Sequence, residues 1–469
     1  MKKLYFVVGS QDLYGEETLR KVKEDSKKMA AFLNQQLSGM EIGVSLQPTI
    51  RNSDEAETVL CQASNDPDCL GVIVWMHTFS PAKMWVSGLQ ALRKPMIHLA
   101  TQANEKLPYE TIDMDFMNLN QSAHGDREFS FILNRLGIPH AIAVGYYRDP
   151  EVVEQIRQFA RVANAIDRSR RLKTATFGNN MREVAVTDGD RLESQIRYGW
   201  QTNYYGIGDW VDLVAKVTDK EVEEQLKIYR QKYILAEPIE PSVVEQAKYE
   251  VAMHRFIKET GIGAFTDNFQ DLHGLRQLPG LAVQDLMDEG IGFGPEGDYK
   301  TACLDAVLMA MSEHEKGGTG FIEDYTYDLT PGKEVELGSH MLEVSPRLAK
   351  NKPVVETHPL GIGGKEDPAR LVFAGITGKG IQTTMIDLGD HFRLIAMPVE
   401  LIDAPEMPKL PVARLLWKIR PSFKEGLRFW LENGGGHHSV ISTALTIDDL
   451  ALFAELTRSE FVALRERDK

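Results

Sequence analysis

A chain of 469 residues, 43% hydrophobic and 26% charged, lies within the ordinary globular range, which excludes a disordered chain, a fibre and a small module stapled by disulfides or zinc. Its length suits about two to four domains. Fifty-three Lys and Arg against 68 Asp and Glu leave a formal net charge of −15, a negative field that disfavours nucleic acid and anionic membrane surfaces as partners.

The N-terminus carries only a short apolar run, Leu4 to Val8, before Gly9, too short for a signal-peptide core. No stretch reaches membrane-spanning length. Three cysteines at irregular spacing, Cys61, Cys69 and Cys303, do not make a disulfide framework and point to a reducing compartment. The expectation is a cytoplasmic protein whose cysteines serve packing.

Residues 4–8, 71–75, 95–99 and 141–144 read as buried strands, and 16–36 and 81–93 carry apolar residues at helical spacing. Such alternation predicts a doubly wound parallel sheet. A charged helix over 150–171 closes this region, and a strand over 172–177 opens a second series. Helical patterns follow at 190–198, 220–233, 241–260 and 281–288, with a short strand at 264–269. After about residue 317, β-like runs at 335–337, 370–373, 382–386 and 392–399 are separated by turn signals, which predicts an antiparallel barrel or sandwich. The expected domains are 1–170 and 171–318, both α/β, and 319–469, a β-barrel.

Two glycine clusters resemble nucleotide loops in their letters. Gly292-Phe-Gly-Pro-Glu-Gly297 would serve an NAD-dependent oxidoreductase, but it follows a helix-like segment with little room for the required strand, and its acid would repel a pyrophosphate. In Gly361-Ile-Gly-Gly-Lys365, Pro359 occupies the place of the first glycine and Glu366 that of the Ser/Thr.

Carboxylates and histidines beside turns are more informative. Glu296 sits in the glycine-rich loop before a helix over 299–311, where it suits either a helix cap or a ligand. Glu323 lies within the strand-like Phe321-Ile-Glu-Asp-Tyr-Thr-Tyr327, and facing inward it would need a cation. His340 is expected at the return of a hairpin. His437 and His438 follow Gly434-Gly-Gly436, just after a helix. Any one histidine is more often a hydrogen-bonded core residue. Together, two acids and two histidines without a thiolate would make an open mixed site for Mn²⁺ or a similar ion, not a closed structural zinc. Their separations form no compact motif.

Longer motifs do. Gly9-Ser-Gln-Asp-Leu-Tyr-Gly15, Trp75-Met-His-Thr-Phe-Ser-Pro81, Asp113-Met-Asp-Phe-Met-Asn118, Asn180-Met-Arg-Glu183, Asp271-Leu-His-Gly274, Glu296-Gly-Asp-Tyr-Lys300, Glu323-Asp-Tyr-Thr-Tyr327 and Gly338-Ser-His-Met-Leu342 occur in one order, and with them the chain resembles the L-arabinose isomerases over nearly its whole length. The resemblance implies metal ligands Glu296, Glu323, His340 and His438, and a sugar pocket lined by Gln11, Leu13, Met181, Phe269, Tyr325 and Met341. His124 would reach the pocket from a neighbouring subunit. It also implies two Rossmann-like domains followed by a β-barrel, Mn²⁺ as cofactor, and a homohexamer of two trimers with shared active sites. One departure is expected: family members usually continue past the helix at 448–456 with another strand and a longer aromatic tail, whereas this chain ends Arg-Glu-Arg-Asp-Lys469.

The function so implied is aldose–ketose isomerisation, L-arabinose to L-ribulose, with weaker action on D-galactose to give D-tagatose. Moving a proton from C2 to C1 needs an acid and a base, for which Glu296 and Glu323 are the candidates. The alternatives are an isomerase of related fold acting on another aldose such as L-fucose, which product analysis would separate, and a sugar-binding protein that does no chemistry, for which the missing signal peptide is unfavourable.

Overall fold

Runs of apolar residues, many β-branched or aromatic, build the first sheet. In the computed structural model, which describes residues 1–465, strands β1 (Lys3–Gly9), β2 (Gly43–Leu46), β3 (Cys69–Met76), β4 (Met96–Ala100) and β5 (Ala141–Val144) are all parallel, in the order β2-β1-β3-β4-β5. Tyr5, Val7, Val72 and Val74 pack on one side against Val59, Leu60, Trp85, Phe129 and Leu133 of the connecting helices. Leu4, Phe6 and Val8 are buried as well, as a sheet covered on both faces requires. The expected single helix over 81–93 is instead a 3₁₀ turn, Ala82–Trp85, running into a short helix, Val86–Ala91, with the Trp85 indole donating back to Ser80 at 3.0 Å.

The described chain divides into two compact units, one of residues 1–167 with 455–458, the other of 168–454 with the segment from Ser459. The second unit opens on a parallel sheet of β6 (Lys173–Phe177), β7 (Gln201–Tyr205), β8 (Ala264–Asp267) and β9 (Gly292–Gly294), in the order β7-β6-β8-β9. Here the sequence reading needs correction, because the first half of the cluster expected as a loop at 292–297 is a strand. Helix Tyr299–Met311 lies so close to β9 that a Cβ on Gly292 would fall on the Ala302 carbonyl, and one on Gly294 on the Asp298 carbonyl. These glycines serve strand-helix packing.

Beyond them the chain forms β10 (Thr319–Asp328), β11 (Val335–Ser339), β12 (Val354–Thr357), β13 (Ala369–Val372), β14 (Gly378–Asp387), β15 (Phe392–Ile402), β16 (Arg414–Ile419), β17 (His438–Ser442) and β18 (Glu460–Ala463). Six antiparallel strands close a barrel in the order β14-β17-β10-β11-β16-β15, with β15 returning to β14. The expected barrel strand at 370–373 is not part of it: β13 pairs with β12 in a separate two-stranded sheet. Outside the ring, β18 adds to β15 in parallel; residues 466–469 of the C-terminal segment noted above lie outside the described residues. The barrel core collects Ile322, Met397, Val399, Leu415, Trp417 and Ile441.

Two details of the barrel position functional candidates. On β10, Glu323 is paired with Ser339 of β11 and His438 of β17, and the register slips between Asp324 and Thr326, so that Tyr325 is the extra residue of a bulge. His340 is not at a hairpin return, since the β10–β11 connection is 329–334 and His340 follows the opposite end of β11.

Gly338 of β11 faces the barrel's largest side chain. A Cβ there would fall on the Trp417 ring and lie 2.9 Å from Ile322 Cγ1, so Gly338→Ala is expected to destabilise the fold by about 1–3 kcal/mol through overpacking. Denaturant unfolding is the check, and unchanged stability would show that the ring can move aside.

Candidate metal centre

Two strand ends, the middle of β10 and one turn of the second unit bring the acids and imidazoles together. β9 delivers Glu296 through a tight turn in which Glu296 itself has φ +60° and Gly297 φ +81°. Both lie in the left-handed region, which is costly for a residue with a Cβ. Gly297 cannot be replaced easily, because a Cβ would lie 2.5 Å from the Asn180 Cα. The turn is tied at both ends: the Gly297 amide donates to the Asp267 carbonyl (2.8 Å) and the Met181 amide to the Glu296 carbonyl (2.9 Å). The following helix is capped by Asp298, whose carboxylate accepts from the Thr301 amide. Glu296 is therefore not the cap, and its side chain is left for other work.

The two histidines are sealed from water, each about 1% exposed in its side chain. A buried imidazole needs a partner for each nitrogen. His340 directs Nδ1 to Glu343 Oε2 at 2.6 Å and His438 directs Nδ1 to Asp298 Oδ2 at 3.1 Å. Their Nε2 atoms face the other way. His438 Nε2 is 3.9 Å from Glu296 Oε2 and has no hydrogen-bond partner, and His340 Nε2 is 3.9 Å from Glu323 Oε2. Ligand atoms of Glu296, His340 and His438 lie within 4.8 Å of one another, as do those of Glu323, His437 and His438. The sequence-predicted quartet is thus brought together, with His437 beside it, 3.5 Å from Glu296.

Electrostatics follow from burial and pairing. Burial works against ionising Glu296, but His437, His438 and His340 outweigh it and hold the carboxylate below its usual range. Burial keeps His438 below the ordinary imidazole value despite Asp298. For His340, burial is overcome by Glu343, and the ring is raised to about 9. A cation at the Nε2 atoms would compete with that proton. Behind Glu343, burial pushes the Asp267 carboxyl well up, and neither of its oxygens has a partner.

The donor set fits a divalent cation. One buried nitrogen is orphaned, both imidazoles have their outer nitrogen held by a carboxylate, as is usual for metal-binding histidines, and two partly exposed carboxylates complete a mixed oxygen and nitrogen set. Asp298 and Glu343 were not identified from sequence. Their signals, an acid two residues after Glu296 and one three residues after His340, become meaningful only once the turns are known.

Phe269 lies 5.9 Å, ring to ring, from His340, and Met341 is the next residue in the chain. Met181 is tied to Glu296 as described. Tyr325, on the bulge, is about half exposed. The other three predicted residues belong to the first unit. Gln11 precedes a 3₁₀ turn after β1, Leu13 is 84% exposed, and His124 stacks on Phe79 at 4.2 Å on the surface.

Family models described as the N-terminal, central and C-terminal domains of L-arabinose isomerase match residues 1–171, 173–314 and 318–460. L-arabinose isomerase 2 of Bacillus licheniformis is 49% identical, with 99% of each chain covered. The L-arabinose isomerase of Thermotoga maritima is also 49% identical, over 98% of this chain and 94% of the relative. Among solved structures, an arabinose-binding protein of Geobacillus stearothermophilus covers 67% of this chain and 88% of its own at 9% identity and a TM-score of 0.17, a likeness that carries no argument.

Glu343→Gln and Asp298→Asn are each expected to weaken binding of a divalent cation about 10- to 100-fold, because the ring each one orients loses its anchor. Titration calorimetry with Mn²⁺ measures this, and wild-type affinity in both variants would mean that the rings are held by packing alone.

Proposed function

The chain belongs to the L-arabinose isomerase family, and from that premise we propose that this isomerase converts L-arabinose to L-ribulose at the Glu296, Glu323, His340 and His438 cluster with a bound Mn²⁺. The reading is carried by the two buried imidazoles, anchored on their outer nitrogens and directed with their inner ones toward two carboxylates. D-galactose is proposed as a poorer substrate, giving D-tagatose, and the physiological role as L-arabinose catabolism.

The reaction is an internal redox exchange. C1 of the open-chain aldose is reduced and C2 oxidised, one proton passing from C2 to C1 and another from O2 to O1. When bound, a divalent cation supplies Lewis-acid polarisation of the two oxygens and offsets the negative charge that develops on them. The protein's part is proton movement and orientation. In this reading one of Glu296 and Glu323 carries the carbon-bound proton and the other the hydroxyl proton. The histidine neighbours favour the charged form of Glu296, the form that a ligand or a proton acceptor needs. His437, raised by Glu296 and about a third exposed, is a donor at the mouth of the site. Met181, Phe269, Tyr325 and Met341 are proposed to line the sugar's apolar edges and exclude water.

Gln11 and Leu13 are proposed to line the sugar pocket as well, and His124 to reach the pocket of a neighbouring subunit in a homohexamer of two trimers, a heterologous contact of the kind that closes rings. All three cysteines are free and no described helix is long and apolar enough to cross a membrane. The cytoplasm is the compartment proposed. The three segments matched by the family models are read as its domains.

Chelation is expected to abolish conversion of L-arabinose and added Mn²⁺ to restore it; full activity in metal-free protein would refute the metal requirement. Glu296→Gln and Glu323→Gln should each lower kcat at least about 100-fold, with metal content measured alongside, and a variant that keeps its metal and stays within a few-fold of wild type would remove that residue from the chemistry. For the shared pocket, His124→Ala and Glu323→Gln proteins, each inactive alone, should regain activity when dissociated and reassembled together. Subunit exchange without recovery would return His124 to a structural role.

A further inference from the structure

Lys300 is the only cation in the first turn of helix Tyr299–Met311, and it is fully buried. An ammonium without water must have every N–H taken by protein. Its Nζ lies 3.0, 2.9 and 2.8 Å from the carbonyls of Val186, Thr187 and Asp188, three consecutive residues of one loop, and 3.1 Å from Asp298 Oδ1. The other oxygen of the same carboxylate, Oδ2, accepts from Thr301 Oγ1 at 2.8 Å and holds His438 Nδ1 at 3.1 Å. One charge therefore links a loop to the anchor of an imidazole.

The loop is not a neutral bystander. It runs over residues 178–190 and includes, near its start, Met181, whose amide is bound to the carbonyl of Glu296. Asn180 Nδ2 donates to Thr187 Oγ1 at 3.3 Å, and the Val184 and Asp188 amides turn back onto the carbonyls of Met181 and Ala185. Val186 approaches the turn before His437, since a Cβ on Gly436 would lie 3.0 Å from its Cγ2. The segment is thus fastened at one end to Glu296 and at the other to Lys300.

We propose that Lys300 is a positioning residue that couples the 178–190 loop to the metal centre: its ammonium fixes the loop carbonyls and the Asp298 carboxylate as one unit, so that the loop's position and the aim of His438 Nε2 change together. This rests on the proposed metal centre. The geometry argues against a purely structural pin, because a lysine that served only the loop would not need the carboxylate that orients His438. Coupling of this kind is reciprocal. Metal binding should order a loop that contributes no ligand, and loss of the ammonium should weaken both metal and sugar binding.

The test uses Lys300→Met, which keeps the aliphatic stem and removes the charge. Its Mn²⁺ dissociation constant by titration calorimetry is expected to rise at least about tenfold, as for loss of a ligand's outer partner, and its KM for L-arabinose to rise by a larger factor than kcat falls. A folded variant with Mn²⁺ affinity and KM within twofold of wild type overturns the proposal. Independently of whether that variant folds, hydrogen exchange on wild-type protein with and without Mn²⁺ should show slower exchange in peptides covering 181–189 and no change over the distant helix Asp219–Lys232. Mn²⁺ binding with unaltered exchange at 181–189 overturns it as well. Failure of wild-type protein to bind Mn²⁺ would overturn the metal centre itself, and this proposal with it, which separates the two failures.

Discussion

An imidazole removed from water has two nitrogens to satisfy, and the second unit is arranged around that demand for His340 and His438. Each ring gives its outer nitrogen to a carboxylate, Glu343 or Asp298, and keeps the inner one for the space between Glu296 and Glu323. The carboxylates bring their own desolvation cost. Asp298 offsets it with Lys300 and Thr301, whereas for Asp267 burial and the Glu343 charge push the carboxyl well above its usual range. The site is the innermost layer of a graded polar network, and each layer limits the freedom of the one before it.

Two kinds of sheet supply the anchoring points. The parallel sheet ends at β9 in a turn that carries Glu296 and Asp298 two residues apart, one aimed at the cluster and the other back at His438. The closed barrel sets Glu323 and His438 directly opposite each other on β10 and β17. Antiparallel partners hold their side chains at a fixed separation, so Glu323 and His438 keep a constant relation whatever the adjacent loops do. The component free to vary is the turn from β9, and it is the one tied down by the Gly297, Met181 and Lys300 hydrogen bonds.

Much of the architecture was legible in the chain. The alternation of short apolar runs with long amphipathic stretches indicated parallel sheets, and turn-punctuated β-like segments after residue 317 indicated an antiparallel C-terminal barrel. What was misread shares one cause, that short segments carry little periodicity. Gly292-Phe-Gly294 has a single side chain by which to recognise a strand, and β13 looks like any barrel strand until its partner is known. Glu296, Glu323, His340 and His438 stood out through resemblance, while their spacing said nothing of convergence. Asp298, Glu343 and Lys300 were hidden for a different reason. A carboxylate that orients a ring cannot be told from a surface acid by its letter, and a buried lysine is recognised only by what surrounds it.

The left-handed backbone at Glu296 has an evolutionary corollary. Held at φ +60°, a glutamate costs the folded state on the order of 1 kcal/mol that glycine would not, and asparagine would lose less there. Selection for stability alone would therefore drift this position toward glycine or asparagine, and the role proposed for the carboxylate would act against that drift. A library screened for thermal tolerance without an activity filter would be drawn to a carboxylate proposed for the chemistry, trading it for a more relaxed turn.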